Sequence, residues 1–266
     1  TGCYEHMADK KCSFSTAKIL ESNDARVVIH ARYASVGIDG KFLDPDPLTG
    51  WGLWSDEYFT IYPDGVAVRH VVAKNHFNGS GEWQETLLYN QPGMRPEDTV
   101  DLKALTLANQ KGETHTYSWE DGMPVILNDP KGPRHFQKPD QANIQIVNFK
   151  SNWKPFIVYE TDVKIIPVGI GPSSDYSKFP CWNHWPVAQL PNDGRKAIVS
   201  DKPSHFSLCT SRGVVRRNAE GSESVYLYGM TDQSINSLVP LARSWNSAPA
   251  ARLAGSGFEG GAYDKN

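Results

Sequence analysis

The sequence is short of sulfur, of helix signals and of long apolar runs, and each shortage removes a class of protein. Four cysteines among 266 residues (Cys3, Cys12, Cys181 and Cys209) are too few for a disulfide scaffold and lack the paired spacing of a zinc module. Cys3 and Cys12 either bridge a short N-terminal loop or stand as free thiols. The longest apolar stretches are strand-sized, which leaves no transmembrane helix. Lys and Arg together number 27 against 30 Asp and Glu, a formal net charge of −3, and no basic stripe gathers. Neither a nucleic acid nor an anionic membrane is therefore an expected partner. Also missing are a Gly-x-Ser-x-Gly nucleophile elbow, a phosphate loop, a dinucleotide glycine pattern after a strand and a His-Glu-x-x-His helix. No internal repeat or low-complexity linker divides the chain. It begins without Met and ends on "GSGFEGGAYDKN", and so reads as a processed piece of a larger multidomain chain.

What is plentiful is alternation with a period of two. "ARVVIHARYASV" (Ala25 to Val36) puts Val28, His30 and Arg32 on one face and Val27, Ile29, Ala31 and Tyr33 on the other. "EYFTIYPDGVAVRHVVAK" reads as a hairpin turned by Pro63-Asp64-Gly65. "EWQETLLYN" follows as a strand, and "ALTLANQKGETHTYSW" as a second hairpin about Lys111-Gly112. "ANIQIVNFKS", "PFIVYE", "HFSLCT" and "SVYLYGMTD" complete about nine or ten strands. "PEDTVDLKALTLAN" starts like a helix at Pro96, yet its apolar residues alternate; "SINSLVPLARSW" suits a short helix except that Pro240 falls in its middle. The expected fold is all-β, a large antiparallel β-sandwich of the jelly-roll or supersandwich kind, with long loops and little helix. The expected organisation is a leader over 1–24 packing on the sandwich, a β-sandwich domain over 25–250, and a loose exit over 251–266.

Two cationic side chains on one face of a well-formed strand do not belong in a sealed core without partners. The face carrying His30 and Arg32 is either solvated or ion-paired, or it is the floor of a groove. "GVAVRHVV" adds Arg69 on one face and His70 on the other, and "EWQET" adds Gln84, so one sheet face can gather His, Arg and Gln. Such a concave face suits a polysaccharide, whose hydroxyls bond to Arg and Gln and whose C–H faces stack on Trp and Tyr. Asp56, Glu57, Glu82 and Glu85 also lie on expected strands, where two carboxylates at the right separation would serve a glycosidase.

The segment "FPCWNHWPVAQLPNDGRKAIVSDKPSH" (Phe179 to His205) has little regular pattern and many costly side chains. Trp182 and Trp185, bracketed by Pro180 and Pro186, are either sugar platforms or caps on a sheet edge. His184, Asp193 and His205 are metal-ligand types, for a structural zinc or calcium, although their spacing matches no compact zinc pattern. His184 or His205 could alternatively move a proton, with Arg195 gripping a carboxylate or sulfate.

The strings "NDARVVIHARYA", "WSDEYFTIYPDGVAVRHVV", "WQET", "RPEDTVDLKALTLANQKGET" and "WNHWPVAQLPNDGR…DKPSH" resemble segments of large secreted bacterial proteins of marine polysaccharide breakdown. Among polysaccharide lyases they are most similar to ulvan lyases, over roughly Gly2 to Trp245. "NHWP" and "SH" also resemble pieces of the sandwich domain of heparinase-type lyases, where His and Asp can hold a structural zinc. The resemblance implies β-elimination on an anionic, uronic-acid-containing, sulfated polysaccharide, with no cofactor required, in a secreted or periplasmic protein. It implies a cast of His30 or His184 as base, Tyr226 or Tyr62 as acid, and Arg32 with Gln84 neutralising the uronate; Arg32 or Arg69 would lower the pKa of a Tyr base, and Arg69 would also bind substrate. Trp182, Trp185, Arg195 and His6 would complete substrate binding. The competing expectations are a non-catalytic carbohydrate-binding module of a larger enzyme, and a glycoside hydrolase using paired carboxylates.

Overall fold

A computed structural model of the chain describes residues 4–5, 9, 11–37, 40–42, 45–74, 83–94, 98–118, 120, 138–160, 164–165, 182–184, 204–212, 216–218 and 221–247. The strands in chain order are β1 (Tyr4–Glu5), β2 (Ser15–Ser22), β3 (Val27–Ala34), β4 (Val36–Gly37), β5 (Trp54–Ile61), β6 (Ala67–Lys74), β7 (Trp83–Asn90) and β8 (Val100–Ala108). They continue with β9 (Thr114–Tyr117), β10 (Ile144–Phe149), β11 (Lys154–Tyr159), β12 (Lys164–Ile165), β13 (Trp182–His184), β14 (Ser204–Arg212), β15 (Arg216–Asn218) and β16 (Gly221–Thr231). A 3-10 turn (Ile235–Leu238) runs into α1 (Val239–Asn246). The fold is all-β and antiparallel, as the alternation requires, and α1 is the one α-helix among the described residues.

Ten strands form one sheet in the order β2-β3-β5-β6-β16-β11-β10-β8-β9, with β15 also paired to β16. The segment expected as a leader supplies β2, the edge strand of this sheet, in register with β3. β16 is inserted between β6 and β11 and so joins the two halves of the chain. Hairpin turns fix the registers: Gly65 takes a φ of +80° between β5 and β6, and Gly112 a φ of +86° between β8 and β9, values an L side chain resists. At Gly229 the constraint is steric instead. A Cβ there would lie 2.8 Å from Phe156 Cε1 and 2.9 Å from the Gly65 carbonyl oxygen, so only glycine lets β16 pass. A second sheet, described by its register, has β14 flanked by β12 and β13 on one side and β7 on the other.

Because side chains alternate, every strand of the large sheet sends residues to two faces. One face carries a core of Leu105, Leu107, Val147, Tyr159 and Tyr226. On the other, Ala108, Ile144, Val158 and Leu227 are roofed by Ile235, Leu238, Val239 and Ala242. Pro240 does not spoil α1, because it falls in the first turn, where its missing N–H costs no helix bond. The helix-covered region spans β8, β10, β11 and β16. Where the same face continues onto β3, β5 and β6, it becomes polar: one rung reads Arg32, Asp56, Val72, Glu223 and the next His30, Tyr58, His70, Val225.

The first-named face also contains a charge pair. Glu57 accepts from Arg69 Nε at 2.7 Å and Nη2 at 2.5 Å, with side-chain exposures of 5% for Glu57 and 20% for Arg69. The Tyr33 hydroxyl donates to Glu57, and Arg69 Nη1 donates to the Tyr226 hydroxyl. Removing one partner of a buried pair leaves the other charge uncompensated. Glu57→Gln is expected to lower stability by about 3 kcal/mol in urea titrations. Glu223→Gln, which breaks the more exposed His70–Glu223 pair, is expected to cost less than about 1 kcal/mol.

Candidate functional site

The polar part of the face is organised by one carboxylate. Cross-strand pairing sets Arg32 of β3 opposite Asp56 of β5, and His30 opposite Tyr58. Arg32 donates from Nε to Asp56 Oδ1 at 2.7 Å and from Nη2 to Oδ2 at 2.9 Å, while His30 Nε2 lies 2.6 Å from Oδ1. Asp56 is buried, His30 mostly so, and Arg32 is half exposed. The Arg32 guanidinium also sits 4.7 Å from the centre of the Trp54 ring. Burial pushes the Asp56 carboxyl upward, but the bonds from Arg32 and His30 outweigh it and hold the group below its ordinary value. Arg32 is in turn held above its own ordinary value by Asp56.

A second imidazole–carboxylate pair lies across the same face. His30 stacks on Tyr58 with ring centres 4.7 Å apart and planes 16° from parallel, and Tyr58 lies 5.9 Å from His70. His70 Nε2 is 2.6 Å from Glu223 Oε1. Two imidazoles, each oriented by a carboxylate, thus flank one phenol, and Arg32 adds a fixed positive charge. Groups able to accept and donate protons are brought beside a fixed cation.

The residues singled out from the sequence are parted by the fold. His30 and Arg32 share this face, but Arg69 and Tyr226 point to the opposite one, where Tyr226 is 2% exposed and packs on Tyr159. There they close the Tyr33–Glu57–Arg69–Tyr226 network that holds the sheet. Tyr62 is exposed in the turn after β5, beyond the end of the strand that carries Tyr58. Asp56 and Glu57 are neighbours on β5 and so serve opposite faces, each engaged by a different arginine. Gln84 and Glu85 belong to β7 of the second sheet, in register with Ser211 and Cys209. Trp182 and His184 belong to β13, where His184 is opposite His205, itself opposite Tyr89. Of the remaining candidates, His6, Glu82, Trp185, Asp193 and Arg195 lie outside the described residues. Cys12 is a free, exposed thiol, and Cys3 and Cys181 lie outside the described residues. Among the described residues no three His, Cys, Asp or Glu side chains are grouped to hold a metal ion.

Tyr58, and the coupling of His70 to Glu223, were missed by the sequence reading. The first was within reach: once the Pro63-Asp64-Gly65 turn pairs Ile61 with Ala67, counting back along both strands sets Tyr58 opposite His70. The second was not, because β16 joins β6 across some 150 residues of intervening chain and no local turn fixes that pairing. No family model matches this chain, and no curated protein does.

The Asp56 shift has a sign that can be checked. The unfolded carboxyl takes up its proton near the ordinary value of about 3.9, before the folded one does. This group's contribution to stability is therefore complete above about pH 4 and is lost as the pH falls through the lower, folded value. Urea midpoints measured from about pH 6 down to about pH 3 should fall less steeply for Asp56→Asn than for the native chain.

Proposed function

We propose that the chain is a polysaccharide lyase that cleaves an anionic, uronic-acid-containing polymer of the ulvan type by β-elimination, with the β3–β5–β6 face as its working surface. The observation that carries this reading is the convergence of His30 and Arg32 on Asp56, with Tyr58 stacked on His30. Arg32 spends Nε and Nη2 on Asp56, and its Nη1 has no hydrogen bond to any described residue. In this reading that edge takes the uronate carboxylate, and the positive charge makes the adjoining C–H acidic by stabilising the enolate-like state. With Asp56 accepting from His30 Nε2, the imidazole is set in the tautomer whose Nδ1 is a base.

In the scheme, His30 Nδ1 takes the proton from the carbon next to the carboxylate. The electron pair left behind forms the carbon–carbon double bond as the glycosidic carbon–oxygen bond breaks, and the Tyr58 hydroxyl protonates the departing oxygen. Proton exchange with water then restores His30 and Tyr58. No step passes through a cofactor, and a secreted or periplasmic location goes with a polymer of this size and charge.

A non-catalytic carbohydrate-binding module is the second reading, favoured by the fact that both imidazoles on the face are already tied to carboxylates. Paired-carboxylate hydrolysis has less support, since Asp56 and Glu57 serve opposite faces. Incubation with ulvan and other uronate polymers separates the three: unsaturated ends absorb in the ultraviolet, hydrolysis yields reducing ends alone, and a module yields neither. His30→Ala, Tyr58→Phe and Arg32→Gln are each expected to lower the rate of unsaturated product by about 10²–10⁴-fold. Rates within about twofold of the native chain in all three variants would discard the assignment.

A further inference from the structure

Beside Arg32, at the end of β2, β3 and β5, opens a cavity of about 430 Å³ whose lining includes Phe14, Thr16, Arg32, Tyr33, Trp51 and Trp54. None of its aromatics was singled out by the sequence reading. Phe42 stacks on Trp51 with ring centres 5.6 Å apart, and Phe14 meets Phe42 edge-on at 4.8 Å. If this cluster only packed the preceding loop against the sheet, Trp51 would be covered; it is 50% exposed. Its indole N–H has no hydrogen bond to any described residue. The cavity therefore offers a broad apolar wall, a free indole donor and, at its edge, the unused Nη1 of Arg32. Its volume falls in the range of roughly 300–1,000 Å³ typical of small-ligand pockets.

We propose that this cavity is the subsite that seats one uronate ring, its C–H face against Trp51 and its carboxylate on Arg32. The occupant follows from the chemistry of the walls. A neutral sugar would leave the Arg32 edge unanswered, and a purely apolar ligand would strand both that edge and the indole N–H. The inference deepens the proposed function and rests on it for the direction of the chain: a ring seated here presents the C–H next to its carboxylate toward His30, two residues from Arg32 on the same face of β3, and its glycosidic oxygen toward Tyr58 opposite His30.

The test is binding, measured calorimetrically without reference to turnover, with a short glucuronate-containing oligosaccharide and the same oligosaccharide after reduction of its carboxylates to alcohols. The native chain is expected to bind the acidic form about tenfold more tightly than the reduced form. Arg32→Gln is expected to erase that difference. Trp51→Ala is expected to weaken the acidic form by about tenfold. Thr16→Trp, which fills the cavity from β2 and leaves Arg32, Trp51 and Trp54 in place, is expected to do the same and decides the matter if Trp51→Ala fails to fold. Affinity within about twofold of native in both variants, or equal affinity of the native chain for the two oligosaccharides, overturns the inference. Loss of binding in the variants, when the native chain makes no unsaturated ends, keeps this subsite and discards β-elimination. Unsaturated product with binding unchanged in the variants does the reverse.

Discussion

Asp56 holds an arginine and an imidazole at once, and the character of the whole β3–β5–β6 face follows from that. A buried carboxylate without partners would ionise at a heavy cost in desolvation. Here Arg32 fills both of its oxygens with a fork and His30 adds a third contact, so the charge survives burial and the carboxyl stays below its ordinary pKa. The reciprocal effect matters as much for the proposed function. A carboxylate held rigidly between two strands fixes the angle of an arginine fork and the tautomer of an imidazole, which are the two features that binding an acidic sugar and moving its proton require.

The same strand solves the opposite problem one residue later. Glu57 points to the other face, where Arg69, Tyr33 and Tyr226 enclose it among apolar neighbours. Adjacent acidic residues on β5 thus support two networks that differ in exposure. One is half open to solvent; the other is more deeply buried and ties strands β3, β5, β6 and β16 together. A reaction scheme that mixed residues from both, such as His30 with Tyr226, would have to work through the sheet.

That division also explains how far the sequence could be read. The alternation in "VVIHARY" and "AVRHVV" was enough for an all-β fold and for placing His30 and Arg32 on one face, because the period of two is local. The Pro-Asp-Gly turn carried the β5–β6 register, which put Tyr58 within reach although it was not singled out. What could not be read was which distant strand lies beside β6, since β16 arrives from the far end of the chain. Without that neighbour, Tyr226 stood as a candidate acid in the sequence reading, whereas the fold makes it the buried acceptor of Arg69. The Trp51–Trp54 cavity was hidden for a related reason: Phe14, Phe42 and Trp51 come together through irregular chain, where spacing has no period to reveal it.

The central question is whether Asp56 organises an eliminating site. Digestion of a uronate polymer in water enriched in heavy oxygen, followed by mass analysis of the fragments, tests this most directly, because elimination puts no solvent oxygen at the broken bond and hydrolysis must. Unlabelled unsaturated fragments from the native chain, with their yield cut by at least about a hundredfold in Asp56→Asn, are the expected result. Heavy oxygen at the new ends, or an undiminished yield of unsaturated fragments from Asp56→Asn, would contradict it.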